Sequence, residues 1–167
     1  RQVVERDLIN LLKSGRTWYG ELFDIITTYT FSFNVPNVVQ TDSVRLRVAG
    51  AARTLGLSNY SDFDVRCAPN LDENFAVQGI SENYTGPYGR AFDREMRFLP
   101  PGSPLLVSVT FNKFNPVTSI AWMDYLELNC RRHLRMSGEQ LAFRDLASVE
   151  SGSTAEFILE QAQSVHH

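Results

Sequence analysis

Residues 42–50, "DSVRLRVAG", alternate strictly, with Val44, Leu46 and Val48 on one side and Arg45 and Arg47 on the other. A period of two is that of an extended strand whose successive side chains point to opposite faces, so this stretch predicts a strand with one buried and one solvated surface. The same rhythm recurs outward from it. "TYTFSFNV" (28–35) sets Tyr29, Phe31 and Phe33 against Thr28, Thr30 and Ser32. "DFDVRC" (62–67) offers Phe63, Val65 and Cys67, "RAFDREMRF" (90–98) offers Phe92, Met96 and Phe98, and "LLVSVTF" (105–111) offers Leu105, Val107, Val109 and Phe111.

Between these runs lie "NVPN", "SNYSD", "APNLDEN", "ENYTGPYG", "LPPGSP" and "NKFNPVTS". They are loaded with residues that tolerate or pre-set turn geometry, and no helical pattern separates them. Strands punctuated in this way predict an all-β fold, an antiparallel β-sandwich of jelly-roll or galactose-binding-like kind. Further strands are expected over 120–130, "EQLAFRD" (139–145) and "AEFILEQ" (155–161).

The beginning of the chain reads differently. In "VVERDLINLLKSG" (3–15), Val4, Leu8, Leu11 and Leu12 fall at helical spacing and Gly15 follows as a stop. A short N-terminal helix is expected, with residues 1–15 as a helical connector from a preceding domain and 16–167 as the sandwich. At 167 residues and 43% hydrophobic the chain can build one real core. Arg1 rather than Met opens the chain, which suggests an internal piece of a longer polypeptide.

Charge and composition exclude several functions. With 16 basic against 19 acidic residues, the net charge of -3 offers no field for phosphate backbones, so no nucleic-acid partner is expected. No apolar run approaches the roughly 18–20 residues of a membrane-spanning helix. Cys67 and Cys130 show no metal-ligand spacing, so no metal and no cofactor is expected. Both cysteines fall on apolar strand faces and read as buried free thiols, or alternatively as one disulfide in an oxidising compartment. Cys130 and His133 point to opposite faces if the strand continues, and His166 and His167 close the chain. No catalytic residue is assigned.

In "IAWMDYLELNCRRH" (120–133), strand alternation puts Asp124 among Ile120, Trp122, Leu126, Leu128 and Cys130. An inward carboxylate must be paired or hydrogen-bonded, so Asp124 is expected to brace the fold, with a ligand site as the other reading. Residues 80–89, with Tyr84 and Tyr88, form the natural binding loop. Trp18, Tyr19, Tyr84, Tyr88 and Phe114 could together stack a sugar, which supports an alternative reading as a carbohydrate-binding module. Asn59 and Asn83 begin N-x-S/T sequons.

Two stretches also carry a resemblance. "GRTWYGELFD" (15–24) resembles the Gly-Arg-x-Trp-x-Gly-Glu-x-Phe segment of the type IX secretion system sortases of Bacteroidetes, the PorU type of gingipain-like cysteine peptidase. "AWMDYLELNCRRHLRMSGEQLAFR" (121–144) is similar to the same family's Trp-Leu-Asp-Tyr-Ile-Glu-hydrophobic-Asn strand with its paired arginines and Gln-x-x-Phe-Arg continuation, departing at Met123 and Cys130. The matching landmarks are Trp18, Gly20, Glu21, Phe23, Trp122, Asp124, Tyr125, Glu127, Asn129, Arg131 and Arg132. The resemblance implies a non-catalytic β-sandwich accessory domain preceding the peptidase domain of an exported protein at the outer membrane or cell surface, with the catalytic His and Cys later in the chain. The implied partners are adjacent domains of the same polypeptide, secreted cargo proteins and other secretion components, with a glycan as the alternative.

Overall fold

The computed structural model describes residues 1–13, 16–136, 138–145 and 147–162. Among the described residues nine strands run in order: β1 Gln2–Glu5, β2 Leu22–Phe23, β3 Thr28–Phe33, β4 Val44–Arg53, β5 Tyr60–Cys67, β6 Leu71–Gln78, β7 Arg90–Phe98, β8 Leu105–Asn112 and β9 Ile120–Asn129. They form two antiparallel sheets. One is ordered β1-β9-β4-β7, with β2 also on β9, and the other β3-β8-β5-β6. The alternating runs of the sequence are their inner faces: Val44, Leu46, Val48, Phe31, Phe33, Phe63, Val65, Leu105, Val107 and Val109 are all buried. Each face can hide its apolar side chains only against the other, which is why the two sheets stack as a sandwich.

At the centre, the Phe63 ring lies 4.6 Å from Phe92, 4.9 Å from Phe111, 5.3 Å from Phe75 and 5.8 Å from Phe23. Burying one such ring contributes about 1.5–3 kcal/mol. Cys67 is buried and Cys130 partly so, and both are free thiols rather than a disulfide. Burial raises the pKa of each, which keeps it protonated and unreactive.

Four expectations fail here. The N-terminal helix is absent. Gln2–Glu5 is a strand in register with β9, Val3 opposite Glu127 and Val4 opposite Leu126, and the only helical turn among the described residues is the 3-10 turn Ala147–Val149. A helix this short is marginal without a face to bury. Leu8 and Leu12 are 64% and 67% exposed, so that face has no partner, whereas β9 offers an open edge on which Val4 packs against the core. Gly15, read as the stop, lies outside the described residues, as do His166 and His167.

Residues 139–145 and 155–161 are not strands. Arg135 and Glu160 share a bridge and an ion pair at 2.9 Å, and Phe143 meets Phe157 at 5.0 Å, but both rings stay 46% exposed. Alternation alone does not make a strand where no sheet edge takes it. The converse error is β6, whose Asp72, Glu73 and Asn74 disfavour a strand; full pairing with β5 from Tyr60↔Gln78 to Cys67↔Leu71 overrides that preference.

The fourth failure is Asp124, which does not face the core. The β4–β9 register runs Ala51↔Trp122 and Gly50↔Met123, then Ala49↔Tyr125, leaving Asp124 as an unopposed extra residue. This is a β-bulge, and it reverses the parity of the strand. Ala121 and Met123 join the core before it, Leu126 and Leu128 after it.

Candidate functional site

The bulge turns Asp124 to the outer face of the five-stranded sheet, whose two halves differ in character. One half is charged. The Arg47 Nε donates to Asp93 Oδ1 at 2.7 Å, with a second, very short bond from its Nη2 to Asp93 Oδ2. Arg45 and Arg97 flank Glu95 at 3.7 and 3.2 Å, and Arg1 meets Glu127 at 2.7 Å. The Arg47 bond holds the Asp93 carboxyl below its usual range, as the Asn129 amide and Arg1 do for Glu127.

The other half is nearly bare, because the outward positions of β4 and β7 there are Ala49, Ala51 and Ala91. Over this smooth floor the chain between β1 and β2 folds back on itself, with Leu8 and Ile9 N–H donating to the Tyr19 carbonyl and Tyr19 N–H to the Ile9 carbonyl. It is anchored by backbone. Gly20 N–H donates to the Met123 carbonyl at 2.7 Å and Met123 N–H to the Glu21 carbonyl at 2.9 Å. Position 20 tolerates only glycine without adjustment, since a Cβ would stand 3.0 Å from the Arg6 carbonyl oxygen and 3.1 Å from its Cβ.

Between this cover, the floor and the 87–89 loop lie two adjoining hollows. The first, about 310 Å³, is lined by Leu11, Arg16, Tyr19, Ala51, Tyr88 and Ala91 among others. The second, about 380 Å³, is bounded by Thr17, Tyr19, Ala49, Asp93, Asp124 and Tyr125. Thr17, Tyr19 and Ala91 line both, so the hollows form one groove.

Asp124 makes no hydrogen bond or ion pair with any described residue. Burial, then the charges of Glu5, Asp7 and Asp93, push its pKa up. Burial and the Asp124 charge likewise raise Tyr19. At the far end the Tyr88 ring lies 6.0 Å from Trp122 and 4.9 Å from the Arg53 guanidinium, whose Nε is buried without a hydrogen-bond partner.

The landmarks of the sequence separate accordingly. Tyr88, Asp124 and Tyr125 border the groove, and buried Trp122 supports Tyr88. Glu21 is the acid that is buried, 8% exposed and 3.4 Å from Arg6 Nη1, and Phe23 is fully buried in the core. Arg131 pairs with Asp42 at 3.2 Å, and Arg132 Nη2 donates to the Ala142 carbonyl at 3.4 Å, both away from the groove. Tyr84 is fully exposed, and Trp18, Tyr84 and Phe114 line neither hollow, so the five-residue aromatic platform does not assemble. The floor of Ala49, Ala51 and Ala91, with Thr17 and Asp93, escaped sequence reasoning. Its only signal was the small-residue run "VAGAA" on an otherwise large-residue strand.

No protein-family model matches the chain, and no curated protein matches it at a significant level. Among solved structures, it is similar to dimeric latent PorU from Porphyromonas gingivalis, with a TM-score of 0.66 and 16% identity over 82% of this chain. It spans 13% of that chain. The carbohydrate-binding module CBM36, solved with calcium and xylotriose, gives a TM-score of 0.48 and 12% identity over 77% of this chain and 100% of its own. The Cry4Aa toxin of Bacillus thuringiensis gives 0.46 and 10% identity over 65% of this chain and 18% of its own. At these identities the PorU likeness shows a shared sandwich fold.

Proposed function

We propose that this chain is a non-catalytic accessory domain of a PorU-type cell-surface sortase, exported to the outer membrane surface and serving type IX secretion. In this reading the sandwich, with the strand Gln2–Glu5 as part of its larger sheet, positions a gingipain-like peptidase domain or receives cargo. The catalytic His and Cys belong to another part of the parent.

One observation carries the reading. The two stretches that resemble the sortase family, far apart in sequence, are hydrogen-bonded neighbours: Leu22 stands opposite Trp122 and Phe23 opposite Ala121, with the Gly20 and Glu21 bonds to Met123 beside them. Two unrelated coincidences would have no reason to meet at one strand pair. The fold likeness to a 13% portion of PorU supports the same placement inside a larger protein.

The test is made in the parent polypeptide in its own cell, with residues 2–162 replaced by a short flexible linker. Removal of the C-terminal sorting domain from cargo is expected to fail, while hydrolysis of a short synthetic peptide persists. Normal cargo processing without the domain, or peptidase activity from the isolated domain, would reject the proposal.

A further inference from the structure

We propose that the groove on the outer face of the five-stranded sheet is a binding site for a neutral, hydroxyl-rich oligosaccharide. This is independent of the parent's identity. Each hollow falls in the range of about 300–1,000 Å³ typical of small-ligand sites. Tyr19, Tyr88 and Tyr125 border the groove, each a ring with a polar tip, with the Arg53 guanidinium over the Tyr88 ring at 4.9 Å and the Arg47 guanidinium over the Tyr125 ring at 5.5 Å. Ala49 and Ala51 at the bottom of the groove are buried, 5% and 3% exposed, so Ala91 is the exposed part of the floor against which a ring can lie. The Thr17 hydroxyl and Asp124 carboxylate border the groove without a hydrogen-bond partner among the described residues.

The occupant follows from what these groups can satisfy. Ionised Asp124 only accepts hydrogen bonds, and Glu5, Asp7 and Asp93 add negative potential around it, so at that end an anionic ligand is repelled and a hydroxyl donor is suited, while Arg16 lines the other end. Arg47, the cation beside that end, is taken by Asp93. An extended peptide suits the groove poorly. The backbone of β4 under the groove is already paired on both sides, to β7 and β9, so a peptide lying over it finds no backbone partners there for its own N–H and C=O groups. A polyol needs only a few side-chain partners and apolar ring faces.

Isothermal titration of the intact chain with neutral gluco-, manno-, galacto- and xylo-hexaoses, an oligogalacturonate and a lysine-rich peptide tests this. Saturable binding of at least one neutral hexaose is expected, with none of the oligogalacturonate. Asp124→Ala and Tyr88→Ala should each weaken it about tenfold or more. Ala91→Trp, which fills the floor at an exposed position, should abolish it, with melting temperature reporting that the fold is intact. Tyr88→Ala keeps the test decisive if the tryptophan distorts the sheet. Silence from every neutral hexaose, binding of the lysine-rich peptide alone, or affinity unmoved by Tyr88→Ala and Asp124→Ala would overturn the proposal.

Discussion

Gly50→Ala is the sharpest probe of the bulge that shapes the outer face. A Cβ added at residue 50 would stand 2.3 Å from the Trp122 carbonyl oxygen and 2.7 Å from Phe92 Cζ, against ordinary contacts of 3.4–4 Å. The Trp122 carbonyl would have to retreat by about 1 Å, and it is backbone on the strand that carries Asp124, two residues before the bulge. Phe92 is held by the Phe63 and Phe75 rings, so it cannot simply swing aside. Overpacking of this kind costs about 1–3 kcal/mol, while replacing a strand glycine returns about 0.5–1 kcal/mol, for a net loss of up to about 2.5 kcal/mol. In a domain of this size each kcal/mol lowers the melting temperature by about 2–4 °C, so a fall of up to about 10 °C is expected. Scanning calorimetry at neutral pH measures it, and two-dimensional amide NMR should show the largest shifts at residues 121–125. A melting temperature at or above the parent's would refute the steric reasoning.

Asp124→Asn should be neutral or stabilising at neutral pH, the opposite of what removing a brace does. The folded-state pKa is raised above the unfolded value of about 3.9, so ionising Asp124 costs stability as pH climbs through the folded value, and the asparagine variant escapes that cost. Urea midpoints should show the variant's advantage at pH 7.5 and none at pH 3; a larger advantage at low pH would contradict the sign. Phe63→Ala, at a fully buried ring, should cost about 3–5 kcal/mol and lower the melting temperature by about 6–20 °C. A drop under 3 °C would mean the four surrounding rings close the gap. Reducing agent should leave the melting temperature unchanged, and an aromatic disulfide reagent should reach Cys67 only on unfolding; a reductant-sensitive melt would expose a disulfide after all.

Much of the architecture was legible in residue order, because alternation is a local property that burial then selects. Val44, Leu46 and Val48 could only be the inner side of a strand, and the turn-rich pieces between runs left no room for crossover helices. Two-sheet stacking follows from those faces. Trp122 and Glu21 entered only as landmarks of a resemblance, and residue order did not indicate that Glu21 rather than Asp124 is the buried acid with a cationic neighbour.

What residue order could not decide was everything that depends on which edge is free and on where register slips. Residues 2–5 became a strand because β9 had an unpaired edge; 139–145 and 155–161 did not, although they alternate as well. One unopposed residue at Asp124 reversed the facing of β9, turning an expected core carboxylate into part of an outer groove. The floor of that groove comes from β4 and β7, its walls from segments near residues 17 and 88, and its acid from β9. Side-chain parity is encoded along one strand, but a bulge exists only relative to a partner, so its consequence appears only when the strands are paired.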